Sequence, residues 1–150
     1  MSEIEDNPAR QARLSTLAKA PHDRLLALWA DHGAAPDHAV LRAPEVGAVM
    51  VRGRAGATGA PFNLGEMTIT RCSVRLTSGA VGHGYVQGRG HDAARVAALI
   101  DALAEDGQAE TLEAAVLAPL RQEAEAARAA RAARAAATKV DFFTMARGEN

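Results

Sequence analysis

The chain has 150 residues, a formal charge of -1 and a pI near 6.5, so no global field draws it to nucleic acid or to an anionic membrane. Its single cysteine, Cys72, excludes an intrachain disulfide and suits a reducing compartment. No apolar run approaches a membrane span and the polar start MSEIEDNPARQ does not read as a secretory signal, so the expected unit is one cytoplasmic domain.

Asn7-Pro8 reads as a helix start, because Asn accepts from free backbone donors and Pro at the first helical position loses no useful N–H. Leu14, Leu17 and Ala18 then form a modest apolar stripe. Pro21 separates this helix from a second one, in which Leu25, Leu28 and Trp29 share a face before Gly33 closes it. Residues 8 to 32 also fit a helix-turn-helix regulator, but the second helix carries only Arg24 among strong cations. A helical hairpin with Trp29 in the core is the simpler reading.

Past Pro36, Ala39 to Arg42 and Val46 to Arg54 read as strands, with Pro44 as the interruption. Arg54 to Pro61 is a flexible glycine-containing connection with neither Walker spacing nor GxGxxG at a strand–helix junction. Phe62 is expected to pin the following strand to the core. The stretch from Leu64 to Gly90 is the centre of the chain, with two strand-like runs around a glycine turn. Met67 and Ile69 share one parity, Cys72, Val74 and Leu76 the other, so a bulge is expected near Thr70 and Arg71. Thr77, Ser78 and Gly79 fit a three-residue hairpin loop with Gly79 left-handed. The return strand, Ala80 to Gln87, has a bare face of Ala80, Gly82, Gly84 and Val86, which something must approach closely.

A helix is expected from Asp92, its cap, to Glu105, with Val96, Leu99, Ile100 and Leu103 facing the hairpin and Gly107 as the stop. Leu112, Ala115 and Val116 make a short helix up to Pro119. The fold class is therefore α+β: an N-terminal helical hairpin, a small, mainly antiparallel sheet of about four strands, then C-terminal helices. Residues 119–150 form a helical arm and docking tail. The arm is helix-forming but poor in large apolar groups, and Arg128, Arg131 and Arg134 creep around it as a solvated run. Val140, Phe142, Phe143 and Met145 then supply apolar anchors that suit docking on another surface.

The chemistry-bearing residues are sparse. His22, His32, His38, His83 and His91 have no metal-ligand spacing, no metal site is expected, and Cys72 belongs on a buried strand face. Asp101 and Glu105 are neighbours on a helix and are expected to be solvated. No catalytic residue is identified. What remains is a polar and cationic set around the hairpin, Arg71, Arg75, His83, Gln87 and Arg89, suited either to phosphate or to cross-strand hydrogen bonding and solubility.

The segments TRCSVRL at 70 to 76, VQGR at 86 to 89, ALIDAL at 98 to 103, LAPL at 117 to 120 and VDFFTMARGEN at 140 to 150, with APEVG and VRGRAGATG earlier, occur in an order that resembles the PhnG family of the bacterial carbon-phosphorus lyase machinery. The resemblance implies a subunit acting with PhnH, PhnI and PhnJ, and with the PhnL protein, to make α-D-ribose 1-methylphosphonate 5-triphosphate from ATP and methylphosphonate with release of adenine. It implies nucleoside cleavage in PhnI and radical cleavage of the carbon–phosphorus bond in the iron–sulfur subunit PhnJ, and no cofactor bound by this chain. The matching hairpin residues Arg71, Arg75, Gly88 and Arg89 are expected to line or buttress a shared site, and Phe142, Phe143 and Met145 to anchor the tail. Where the family pattern is expected to place a His-Ala pair after the GR motif, this sequence has Ala93-Ala94, with His91 two places earlier. The implied role is auxiliary; the alternatives are a phosphate-recognising module built on Arg71, Arg75 and Arg89, and the helix-turn-helix regulator.

Overall fold

Asn7 caps the first helix by accepting from the backbone N–H of Arg10 at 3.0 Å, with Pro8 in the first turn. This is α1 (Pro8–Lys19) of a computed structural model that describes residues 7–140. It is followed by α2 (His22–His32), β1 (His38–Arg54), β2 (Pro61–Leu76), β3 (Val81–Gln87), α3 (His91–Leu103), α4 (Ala109–Leu112) and α5 (Ala118–Ala137). The class is α+β, with the expected helical hairpin leading the chain. Among the described residues no helix is long and apolar enough to cross a membrane.

Among the described residues the sheet has three antiparallel strands in the order β1-β2-β3, not four. Pro44 does not divide β1, because β1 is an edge strand, where a missing N–H need not break a ladder. The irregularity is absorbed instead by register shifts between Val40 and Arg42 and between Arg42 and Glu45. The bulge expected at Thr70 and Arg71 thus lies on the neighbouring strand, opposite Arg71 and Ser73, while β2 stays in continuous register with β3 from Ile69 to Arg75. Thr70 is the first member of the core-facing row Thr70, Cys72, Val74, Leu76, and all four are buried. Its polarity mimicked a change of phase. Phe62 does not pin β2 to the core; it is 45% exposed.

α3 lies across the bare face of β3. An added Cβ on Gly82 would stand 2.0 Å from the Ala98 carbonyl oxygen, and one on Gly84 would stand 2.2 Å from that of Ala94. These two glycines therefore set the helix–sheet distance. Ten of the 13 residues of α3 are buried, which makes it a central helix and not an amphipathic cover. Leu17 of α1, Leu25, Leu28 and Trp29 of α2, and Leu112 and Val116 beyond α3 complete one core with Cys72, Val74 and Val86.

Two boundaries differ from expectation. Gly90 is the N-cap of α3 and Asp92 lies in its first turn. Gly107, with φ 93°, marks a kink inside a wide turn over 104–108, after which the chain resumes as α4, and a second wide turn over 113–117 leads into α5. Pro119 sits in the first turn of α5, where its missing donor is harmless. From Arg121 to Ala137 every residue is exposed.

Candidate functional site

The strand period places the cationic set. In the ladder between β2 and β3, Ile69 opposes Gln87, Arg71 opposes Tyr85, Ser73 opposes His83 and Arg75 opposes Val81. Directly opposed residues share a face, and the alternate row is the one buried under α3. Arg71, Arg75, His83 and Gln87 therefore occupy the open face of the sheet. Arg89 does not; it lies exposed in the turn between β3 and α3.

On the β1 side, Glu45 Oε1 accepts from Arg71 Nε at 2.6 Å and from Arg42 Nη1 at 2.7 Å. These two bonds, that from Arg42 first, hold the Glu45 carboxyl below the usual glutamate range. Two guanidinium groups share one carboxylate, so this part of the face keeps a positive balance. Arg75 has no ion pair among the described residues and borders a shallow depression with Asp37, His38 and Thr77. Ser73 Oγ lies 2.9 Å from His83 Nδ1. The face offers forked donors for an anion, and although Ile69 in the same row is buried, Arg75, His83 and Gln87 are exposed, so it has the character of a recognition surface and not of a water-excluding pocket.

The Gly88-Arg89-Gly90 turn is held rigidly. Thr70 Oγ1 donates to the Gly88 carbonyl at 2.7 Å and accepts from the Gly90 N–H at 3.0 Å. His22 Nε2 donates to the Gln87 carbonyl at 2.8 Å. Gly88 has φ 81°, and a Cβ on Gly90 would meet the His22 ring at 2.4 Å. His22 thus acts as a buttress. His91 opens α3 on the surface, whereas Ala93 and Ala94 are buried against the sheet, where an imidazole would have no room.

The hub of the structure was missed at the sequence level. Asp101, expected to be solvated, is fully buried. Its Oδ1 accepts from Arg13 Nε at 3.0 Å and Nη2 at 2.9 Å, and its Oδ2 accepts from Arg10 Nη2 at 2.8 Å and from the His83 N–H at 3.0 Å. Arg13 also pairs with Glu105, and the bond to Asp101 leads the causes that raise the Arg10 guanidinium above its ordinary value. One carboxylate therefore fixes α1, α3 and the strand that carries His83. The available signal was Arg10 and Arg13, one helical turn apart, facing the same way as Leu17.

Cys72 is buried, and that burial pushes its thiol up. Among the described residues no group of three His, Cys, Asp or Glu could hold a metal ion. Val140 is exposed; Phe142, Phe143 and Met145 lie outside the described residues.

These features define a small α+β domain with a three-stranded sheet, one face covered by a central helix and the other open and cationic. The family model described as "Phosphonate metabolism protein PhnG" matches residues 8–148, and the chain belongs to the PhnG family. It is 45% identical over 141 residues to the alpha-D-ribose 1-methylphosphonate 5-triphosphate synthase subunit PhnG of Rhizobium meliloti (strain 1021), across 94% of this chain and 90% of that relative.

Proposed function

We propose that this chain is a subunit of an α-D-ribose 1-methylphosphonate 5-triphosphate synthase in the cytoplasmic carbon-phosphorus lyase pathway. The observation that carries this reading is the similarity to the Rhizobium meliloti subunit along nearly the whole of both chains. In it, ATP and methylphosphonate are the substrates of the complex, adenine is released, and the chain works with PhnH, PhnI, PhnJ and the PhnL protein while binding no cofactor itself. Its part is auxiliary. By holding the nucleosidase subunit so that a phosphonate oxygen and not water reaches the anomeric carbon, it favours transfer over hydrolysis. Orientation and water exclusion are worth several kcal/mol in such a partition, about the range set by effective molarity. The open, uncovered character of the sheet face supports a surface completed by a neighbour.

The test is the product ratio of the nucleosidase subunit supplied with ATP and methylphosphonate in the presence of the remaining partners. Addition of this chain is expected to shift the product formed from ATP, as adenine leaves, from free ribose triphosphate to the ribosyl phosphonate. An unchanged ratio would remove the auxiliary role.

A second reading is favoured by Arg42, Arg71 and Arg75 on one face, where Glu45 pairs with the first two and Asp37 borders the same depression as the third. There the chain itself recognises the phosphates, with Arg71, Arg75, His83, Gln87 and Arg89 around them. Calorimetry of the chain with ATP separates the two, because a scaffold gives no heat. The regulator reading gains nothing: Arg24 is paired with Glu123, and Leu25, Leu28 and Trp29 turn the apolar face of α2 inward.

A further inference from the structure

The β1–β2 hairpin outruns the sheet that supports it. β3 pairs with β2 only from Ile69 to Arg75, with one more bond from the Gly88 N–H to the Thr68 carbonyl, whereas β1 and β2 remain paired out to Arg54 and Pro61. Ala48–Arg54 and Pro61–Thr68 thus form a two-stranded ribbon in which no residue is buried. At the usual strand rise it projects about 24 Å. Such a ribbon is marginal in water by itself.

This one is also apolar on both sides. Val49, Met50, Phe62 and Leu64 are 42%, 53%, 45% and 66% exposed. Val49 opposes Met67 and Met50 opposes Glu66, and successive strand residues point to opposite faces. A flat surface would cover only one side. The charged residues of the ribbon are Glu66 near its base and Arg52 and Arg54 toward its tip.

We propose that the ribbon is an arm that inserts into an apolar cleft of another subunit of the synthase, with acidic groups at the deep end of that cleft to meet Arg52 and Arg54. This rests on the subunit reading above and adds the surface through which it acts. A second copy of this chain is a poor host. Of two depressions away from the ribbon, one balances Asp37 against Arg75, and the other sets Lys19, Arg121, Arg128 and Arg131 against Glu123 and Glu125. Neither is net negative.

The test co-expresses the full chain carrying Met50→Glu and Leu64→Glu with the other subunits of the synthase. Recovery of the variant in the complex is expected to fall roughly tenfold or more, as for central interface anchors, while the isolated variant keeps the helical circular dichroism of the parent. Unimpaired assembly overturns the proposal. Should the variant fail to fold, hydrogen exchange on the parent chain decides: the amides of Ala48–Arg54 and Phe62–Thr68 are expected to slow in the complex, and unchanged exchange there overturns the arm. A dimer of the isolated chain that the same substitutions abolish would make a second copy the occupant and also overturn it. Failure of the parent chain to join any complex would instead strike the subunit reading first, and the arm with it.

Discussion

Asp101 is the residue on which three elements converge, and its four hydrogen bonds leave neither carboxylate oxygen without donors. Replacing one member of a buried ion pair strands the other, at a typical cost of about 3–5 kcal/mol. Asp101→Asn is therefore expected to lower the thermal midpoint sharply, and a midpoint close to that of the parent would show that Glu105 can hold Arg13 alone. Cys72 gives a second expectation. Its thiol is raised by burial and only the thiolate attacks an alkylating reagent, so iodoacetamide should modify the folded chain far more slowly than the urea-unfolded chain. The linkage runs the same way. A raised thiol favours the folded state below the unfolded thiol range, and that contribution disappears as pH rises through the folded value. Glu45 has the opposite sign: its carboxyl is lowered by Arg42 and Arg71, so its contribution exists above the unfolded carboxylate range and is lost as pH falls through the folded value. A carboxyl titration followed by NMR should place Glu45 below an ordinary glutamate, and a normal midpoint would mean that the shared pairing does not persist in solution.

Among the elements, α3 and β3 meet backbone to backbone at Gly82 and Gly84. Gly84→Ala would drive a methyl group into the Ala94 carbonyl, and overpacking of this kind costs about 1–3 kcal/mol or more. Denaturant unfolding is expected to show that loss, with the larger Gly84→Val loss beside it; a neutral alanine would mean that α3 slides freely. The need for a close neighbour was legible in the run GHG, because glycine at every second strand position strips one face. The open face was legible for the same reason, since a period of two sorts Arg71, Arg75, His83 and Gln87 onto one side. Thr70 and Pro44 were misread because each broke a local rule whose compensation lies elsewhere. Gly88 and Gly90 satisfy the Thr70 hydroxyl, and a free sheet edge tolerates Pro44.

At the scale of the whole molecule, the chain divides its apolar surface unevenly, with a closed core around α3 and exposed apolar groups along the β1–β2 ribbon. α5 adds little to the body beyond Leu120. Its outer part carries the exposed pair of Arg128 with Glu125, and such pairs contribute about 0–1 kcal/mol. Removal of the residues after Ala124 is therefore expected to move the thermal midpoint by no more than about 4 °C, and a collapse of the midpoint would show that the arm folds back on the body. The sequence by itself determined the helical hairpin, the glycine-faced strand, the presence of a helix after the GR turn and the family, because each is written in local periodicity, turn chemistry or motif order. Only the tertiary structure decided that Asp101 is buried under two arginines from α1, that β1 is one strand, and that the hairpin extends beyond its support. Those outcomes depend on partners far away in the chain, and a carboxylate or a valine carries no local mark of which partner will reach it.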